Sequence, residues 1–466
     1  MTETEDQKTK VIRRHVNNLL SPFERFVHSQ VSTGVFLLGA TVLALAVANS
    51  PLEADYRALL HWPLGIRLNG WELQMPLLEW VNSGLMSLFF FLIGLEIKRE
   101  ILAGELREKR KLMLVLFAAV GGMVMPAFIY LAFNHGSSAV DGWAIPMATD
   151  TAFALGAFAL LGRKHFGALA TFLTALAIFD DIGSILVIAF YYTDAIAVAA
   201  LVHVAALFGI LVLFNVCGIR SAALYFIVGV LLWYFLHLSG VHAQIAGILV
   251  AAAVPAHRKE MPRKFLNRMQ RLMKTFEKKH KSNQILSDQK QHEIVMAIEQ
   301  MAEDASTPLQ RWETKSENPI GLGILPVFAF FNAGIPLHDY DVAGILTSPI
   351  MAGITLGLVL GKPLGIALFS WLALRLGLGR MPQGTGLAGI VGIGLLAGMG
   401  FTMSFLITTL SFPGGSVHIE EAKIAVLSAT LLSGVIGILW LRHLKAKNGN
   451  GRSHVARQRS AQGGKA

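Results

Sequence analysis

Residues 168–192 read ALATFLTALAIFDDIGSILVIAFYY, an apolar run long enough to cross a bilayer that carries two adjacent carboxylates, Asp180 and Asp181. An acidic side chain at the centre of a bilayer costs roughly 2.5–3.5 kcal/mol on insertion scales, and more when it is ionised without a partner. Two such residues in succession are hard to explain by structure alone. They indicate an ion or proton site inside a membrane protein.

The composition favours the same class. Of the 466 residues, 54% are hydrophobic and only 15% are charged, whereas a soluble domain carries about 25% charged residues. The single cysteine, Cys217, excludes an intramolecular disulfide framework. We predict no cofactor and no enzymatic activity.

We predict an all-α membrane protein of about twelve transmembrane helices, since most of the apolar segments are close to the ~20 residues that a bilayer requires. The predicted spans are 32–50, 80–97, 112–134, 143–162, 168–192, 196–216, 221–238, 241–255, 319–336, 346–372, 385–410 and 420–441.

Basic residues occur in every second connection between these spans, which predicts that both termini are cytoplasmic. This pattern also explains the net charge of +10, so no nucleic-acid partner is expected. The predicted organisation is a cytoplasmic segment 1–31, a transmembrane domain 32–441 and a disordered tail 442–466. A basic cytoplasmic loop over 256–318 is either a solvated loop or, less favoured, partly an amphipathic helix on anionic lipid.

A short β-hairpin is expected outside the cytoplasm at 65–74. Asn69-Gly70, between alternating apolar and polar residues, is a strong signal for a two-residue turn. A lone hairpin has open edges that favour pairing with another copy, so this segment is either a dimer contact or a surface ornament.

Two spans carry signs of interruption. In the fourth span, Pro146 breaks the hydrogen-bond ladder just before Thr149 and Asp150. In the eleventh, glycines lead to Thr402 and Ser404, which can rebond freed backbone groups. These spans are the middle members of triplets 3–5 and 10–12, which start an odd number of spans apart and are therefore inverted. Paired interruptions at corresponding positions point to a transporter binding site.

Lys362 lies about a dozen residues from either end of the tenth span and needs an anionic partner, for which Asp180 and Asp181 are the candidates. Successive helical residues point about 100° apart, so one aspartate can contact Lys362 while the other faces a cavity with Asp150. Such hard oxygen ligands suit Na+ or Li+, and neighbouring carboxylates favour proton binding.

The chain resembles NhaA-type sodium/proton antiporters over nearly the whole span region. The similar stretches are FLIGLEIKRE (91–100), ATDTAFALG (148–156), AIFDDIG (177–183), SGVHA (239–243), LPVFAFFNAG (325–334), GKPLG (361–365) and GMGFTMS (398–404). The fold of that family is itself a known example of inverted repeats.

The resemblance implies twelve helices with two crossing interrupted helices, spans 4 and 11, in a bacterial inner membrane. It implies electrogenic export of cytoplasmic Na+ or Li+ in exchange for external H+, by a homodimer joined partly through the external hairpin. Asp181 would be the central cation ligand. Asp180 would be a second ionisable cation ligand that pairs with Lys362, and Asp150 and Thr149 would complete the site. A pH response would involve Glu96, Arg99, Glu100, His242 and Glu313.

Two other classes of membrane protein are alternatives to an antiporter. An intramembrane aspartyl protease also needs buried aspartates, but the tandem aspartates, Lys362 and the paired interruptions argue against it. A sodium-coupled symporter of similar architecture remains an alternative, which would need a roomy substrate pocket.

Overall fold

The computed structural model describes residues 22–68, 71–103, 108–161, 167–193, 197–257, 267, 269–274, 293–298, 301, 306–339, 342–382, 385–412 and 417–463. The predicted turn at Asn69-Gly70, much of the predicted loop 256–318 and the first 21 residues lie outside this part of the chain.

The chain divides into two compact units. The first comprises Met1–Met86, Glu105–Thr193 and Ile320–Ala466, and the second comprises Ser87–Gly104 and Asp194–Pro319.

The first unit contains eleven labelled helices and a two-stranded sheet in its described part. They are α1 (Pro22–Ala48), α2 (Glu53–Leu60), β1 (Pro63–Leu68), β2 (Trp71–Pro76), α4 (Lys109–Asn134), α5 (Thr151–Ala159), α6 (Gly167–Tyr191), α11 (Leu325–Ala333), α12 (Pro349–Leu356), α13 (Lys362–Arg375), α14 (Leu387–Ala397), α15 (Phe401–Ser411) and α16 (Val417–Gly463). A 3₁₀-helix, Val140–Met147, precedes α5, and π-helical turns occupy Trp80–Leu85, Ile320–Ile324 and Gly357–Gly361. The second unit contains α3 (Met86–Ala103, from Ser87 on), α7 (Val198–Val216), α8 (Ala222–Ser239), α9 (Ile245–Ala253) and α10 (Pro308–Pro319).

Eight described helices are long and apolar enough to cross a membrane, or nine if α14 and α15, bent by 53° at a short break, form one span. The expected multi-pass helical membrane protein is therefore confirmed. Three of the twelve predicted spans, the fourth, eighth and ninth, are not among these nine. The fourth is split by the 3₁₀-helix and the extended residues before α5, the eighth shrinks to the nine-residue α9, and the ninth continues directly from the polar helix α10.

The hairpin is confirmed as an antiparallel pair, β1 with β2, that runs somewhat longer than expected at each end. Leu68 pairs with Trp71 in its register, which is the pairing of a two-residue connection.

The last helix continues to Gly463, through a tail that the sequence predicts to be disordered.

Close packing of α4 on α13 positions the buried charges of the first unit. A Cβ atom added at Gly121 or at Gly365 would overlap the backbone of the other residue. Only glycine allows two membrane helices to approach this closely. The contact lies one turn from Lys362 and beside Gly122, which faces Asp180.

Candidate functional site

A fully buried ion pair lies at the centre of the first unit. Lys362 Nζ is 3.1 Å from Asp180 Oδ2, and neither side chain is exposed to solvent. The Thr149 hydroxyl lies 2.7 Å from the same carboxylate oxygen. The predicted pairing of Lys362 with one of the two tandem aspartates is thus resolved in favour of Asp180.

Asp150 caps two helices at once. Its Oδ1 accepts a hydrogen bond from the Phe153 N–H, in the first turn of α5, at 3.0 Å. Its Oδ2 accepts from the Thr402 N–H at 3.1 Å and from the Thr402 hydroxyl at 2.6 Å, in the first turn of α15. One carboxylate therefore satisfies N–H groups in the first turns of two helices.

Two helical segments, the 3₁₀-helix and α14, end near Asp150. The carbonyl groups at their ends also have hydrogen-bond partners. Lys362 Nζ donates to the carbonyl of Met147, the last residue of the 3₁₀-helix. The Thr149 hydroxyl lies 2.9 Å from the carbonyl of Ala397, the last residue of α14. Because this hydroxyl carries one hydrogen, it donates either to Ala397 or to Asp180. Asp150 thus contacts the starts of α5 and α15, Lys362 the end of the 3₁₀-helix, and Thr149 the end of α14.

Asp181 follows Asp180 on α6 and is 6% exposed. It interacts electrostatically with Lys362, so the lysine is shared unequally between two carboxylates. Since adjacent helical residues point about 100° apart, the two aspartates present their oxygens in different directions. The group offers carboxylate, hydroxyl and carbonyl oxygens, which are the donors that small hard cations prefer. Among the described residues, no group of three or more His, Cys, Asp or Glu side chains is arranged to hold a metal ion.

A second charged cluster lies in the second unit. Arg99 Nε is 2.7 Å from Glu313 Oε1, and Arg99 Nη1 is 3.3 Å from Glu100 Oε2. Glu96 interacts electrostatically with these three residues and with Glu317. The structure therefore brings together four of the five residues predicted to carry a pH response.

Glu313 lies on α10, outside the candidate spans. Burial raises the pKa of its carboxyl above the ordinary value, and the Arg99 guanidinium opposes this change without cancelling it. Glu100 adds a repulsion that works in the same direction as burial.

His242 is separated from this cluster. It precedes α9, whose Ile245 N–H donates to the His242 carbonyl at 3.1 Å. At the other end of α9, Lys98 Nζ donates to the carbonyls of Ala252 and Val254. Helix α9 has nine residues, so about 13 Å of helix axis separates its two ends.

Some participants were missed from the sequence. Glu317 joins the Arg99 cluster, and its spacing of four residues from Glu313 on one helix is the signal that could have identified it. The carbonyls of Met147 and Ala397 carry no side-chain signal. They become partners because the backbone is interrupted at these two places.

Comparison with known proteins gives a consistent result. The family model for Na+/H+ antiporter 1 matches residues 24–441. The Na(+)/H(+) antiporter NhaA 1 of Saccharophagus degradans is 44% identical over 429 residues, which are 92% of each chain. The Na(+)/H(+) antiporter NhaA of Oleidesulfovibrio alaskensis is 43% identical over 92% of this chain and 95% of its own. The NhaA of Sulfurimonas denitrificans is 40% identical over 94% and 98%.

Proposed function

This chain belongs to the Na+/H+ antiporter 1 family, and from that premise we propose that it exports cytoplasmic Na+ or Li+ in exchange for external protons. It is a multi-pass membrane transporter and not an enzyme. The exchange is electrogenic, with more protons entering than cations leaving. The protein acts in a bacterial inner membrane, with both termini in the cytoplasm.

The buried Lys362–Asp180 pair beside Asp181 is the observation that carries this proposal. A pair removed from water is stable only while both partners remain, because loss of one leaves an uncompensated charge. A cation that binds to Asp181 and then to Asp180 takes over the role of Lys362. The cation and protons then compete for the carboxylate oxygens of Asp180 and Asp181. Obligatory exchange requires such competition.

Two residues, Thr149 and Asp150, hold the site in place during this competition. Thr149 contacts Asp180 and the end of α14, and Asp150 holds the starts of α5 and α15. In the full architecture we infer twelve spans in inverted repeats, with spans 4 and 11 interrupted and crossing. The bend between α14 and α15 and the non-helical residues before α5 support this arrangement.

We propose that Arg99, Glu96, Glu100 and Glu313 regulate exchange by pH, with alkaline conditions activating it. The raised pKa of Glu313 supports a role for this carboxyl, because it keeps its proton to a higher pH than an ordinary glutamate does. His242, which lies apart from the cluster, would adjust the pH profile and not set it.

We further propose a homodimer joined through the β1–β2 hairpin, whose two strands pair only with each other in the described chain. Replacing residues 63–76 by a flexible linker should lower the dimer fraction measured by light scattering in detergent. An unchanged fraction would exclude the hairpin as the contact.

Everted membrane vesicles provide the test of function. Respiration acidifies their interior, after which NaCl is added while a fluorescent dye reports the internal pH. We expect sodium-induced alkalinisation of the interior, absent from vesicles without the protein. No alkalinisation with Na+ or Li+ would overturn the antiporter proposal, and co-transport of an organic solute with Na+ would favour the symporter alternative.

A further inference from the structure

Some hydroxyl groups on the helices of this protein donate to the backbone one turn earlier, whereas four buried serine and threonine hydroxyls have no hydrogen-bond partner among the described residues. On α6 itself, Thr174 donates to the Ala170 carbonyl at 3.1 Å. Thr41 and Thr408 make the same bond on α1 and α15. Ser184, also on α6 and 1% exposed, does not: its Oγ has no hydrogen-bond partner among the described residues. A buried hydroxyl without a partner is unfavourable by about 1–3 kcal/mol.

Asp180 lies one helical turn before Ser184 and has one oxygen in the same condition. Its Oδ2 is occupied by Lys362 and Thr149. Its Oδ1 is buried and has no hydrogen-bond partner in the described part of the chain. Residues four apart on a helix share a face, with Cβ atoms about 5–6 Å apart. Asp180 and Ser184 therefore lie one turn apart on the same face of α6.

Helix α4 approaches the Asp180 carboxylate at Gly122. A Cβ atom added at Gly122 would lie 4.0 Å from Asp180 Oδ1, so the backbone of α4 comes close to the carboxylate here. Pro126, inside α4, has no N–H. The Gly122 carbonyl therefore lacks its usual donor four residues later. The Ile366 side chain also packs against Gly122, with Cγ1 2.9 Å from that Cβ position, and Pro126 leaves a backbone acceptor at this point of the helix.

We propose that Asp180 Oδ1, Ser184 Oγ and the Gly122 carbonyl together bind one water molecule. The hydrogen-bond count fits water: it donates to the carboxylate and to the carbonyl, and it accepts from the serine hydroxyl. Buried waters typically make about three such bonds. Oxygens as far apart as roughly 5.5 Å can be bridged in this way, since each bond is about 2.8 Å long.

The water makes Ser184 a positioning residue. It holds Oδ1 on the side of α4, which keeps Oδ2 directed at Lys362 and Thr149. The consequence for transport rests on the proposed sodium/proton exchange, whereas the presence of the water does not.

The decisive experiment is cryo-electron microscopy of the full chain in lipid nanodiscs, at a resolution that shows ordered water, without and with Na+. Density within hydrogen-bond distance of all three oxygens is expected in both conditions, and its loss is expected in Ser184→Ala. Absence of density in the wild type would overturn the proposal. Density that appears only with Na+ would also overturn it, because the ligand would then be the cation.

Transport measurements test the positioning role. Ser184→Ala should raise the apparent KM for Na+ about two- to tenfold, which corresponds to the free energy of one hydrogen bond, and kcat should not change. Ser184→Thr should restore the wild-type KM, since it keeps the hydroxyl. Ser370→Ala removes another fully buried hydroxyl, one without a hydrogen-bond partner among the described residues, and should leave KM unchanged. Ser370 lies eight residues from Lys362 on α13. An unchanged KM in Ser184→Ala would overturn the positioning role. A wild type that shows the density but no sodium-driven exchange would sink the proposed function alone and still support the water.

Discussion

Both compact units contain an acid paired with a base, and the more exposed of the two pairs is the closer one. In the first unit Lys362 and Asp180 are 3.1 Å apart and neither is exposed. In the second unit Arg99 and Glu313 are closer, at 2.7 Å, but their side chains are 36% and 15% exposed. Exposure lets water screen the charges and replace a lost partner. We therefore expect the loss of stability on breaking each pair to follow its burial and not its distance.

The largest expected effect is on exchange activity, from a substitution of Asp181, which lies beside the Lys362–Asp180 pair. Asp181→Asn keeps the size of the side chain and removes the charge that we propose binds the cation. Exchange should be abolished in everted vesicles, while the melting temperature stays near that of the wild type. Full exchange by this variant would remove Asp181 from the site.

The comparison itself is tested most directly by breaking the buried pair. Lys362→Ala leaves Asp180 buried without its base, so stability should fall by about 3–5 kcal/mol, as found for other buried pairs. Thermal unfolding in detergent measures this change. Lys111→Ala is the matched control, because Lys111 also lies 3.1 Å from a carboxylate, that of Glu108, but both are nearly half exposed. The control should lose about 1 kcal/mol or less, and equal losses would refute the ranking by burial.

A smaller effect is expected where the buried charge keeps most of its partners. Thr402→Val removes the hydroxyl 2.6 Å from Asp150 but leaves both backbone donors to this carboxylate in place. A hydrogen bond to a charged group contributes about 1.5–3 kcal/mol. The melting temperature should therefore fall less than in Lys362→Ala, and Thr402→Ser should recover most of it. No recovery by serine would indicate that the methyl group and not the hydroxyl matters.

The smallest change in stability, about 0.2–1 kcal/mol, is expected for Arg99→Gln in the second unit. The informative readout there is pH. Burial raises the folded-state pKa of Glu313 above the ordinary value of 4.5, so the folded protein binds this proton more tightly than the unfolded chain does. The stability from Glu313 is therefore complete below pH 4.5 and is lost as pH rises through the raised pKa.

Removing the titrating group should remove this loss. Glu313→Gln should lose less stability than the wild type between pH 4.5 and neutral pH, and Arg99→Gln should shift the loss to higher pH, because the guanidinium opposes the rise in pKa. Melting temperatures across that range check both signs. Wild-type and Glu313→Gln profiles of the same shape would contradict the role of this carboxyl.

The residues of the two clusters could be predicted to different degrees. Asp180, Asp181 and Lys362 were recognisable because a charge within a long apolar run is conspicuous whatever its surroundings. Glu317 was not, because a glutamate in the polar helix α10 resembles any solvated side chain. His242 was grouped with Arg99 by resemblance, whereas α9 separates the two. A pattern in one segment cannot reveal the distance between segments.

The amino-acid sequence by itself determined the apolar spans, the hairpin and the buried acids and base, since these depend on hydrophobicity and turn preference within about twenty residues. Only the tertiary structure decided which atoms meet. Asp150 serves both α5 and a helix whose contacting residue is 252 positions away. Lys362 meets Asp180 and the end of the 3₁₀-helix because Gly121 and Gly365 let α4 and α13 approach closely. Such contacts follow from how several backbones pack, and no local run of residues encodes that packing.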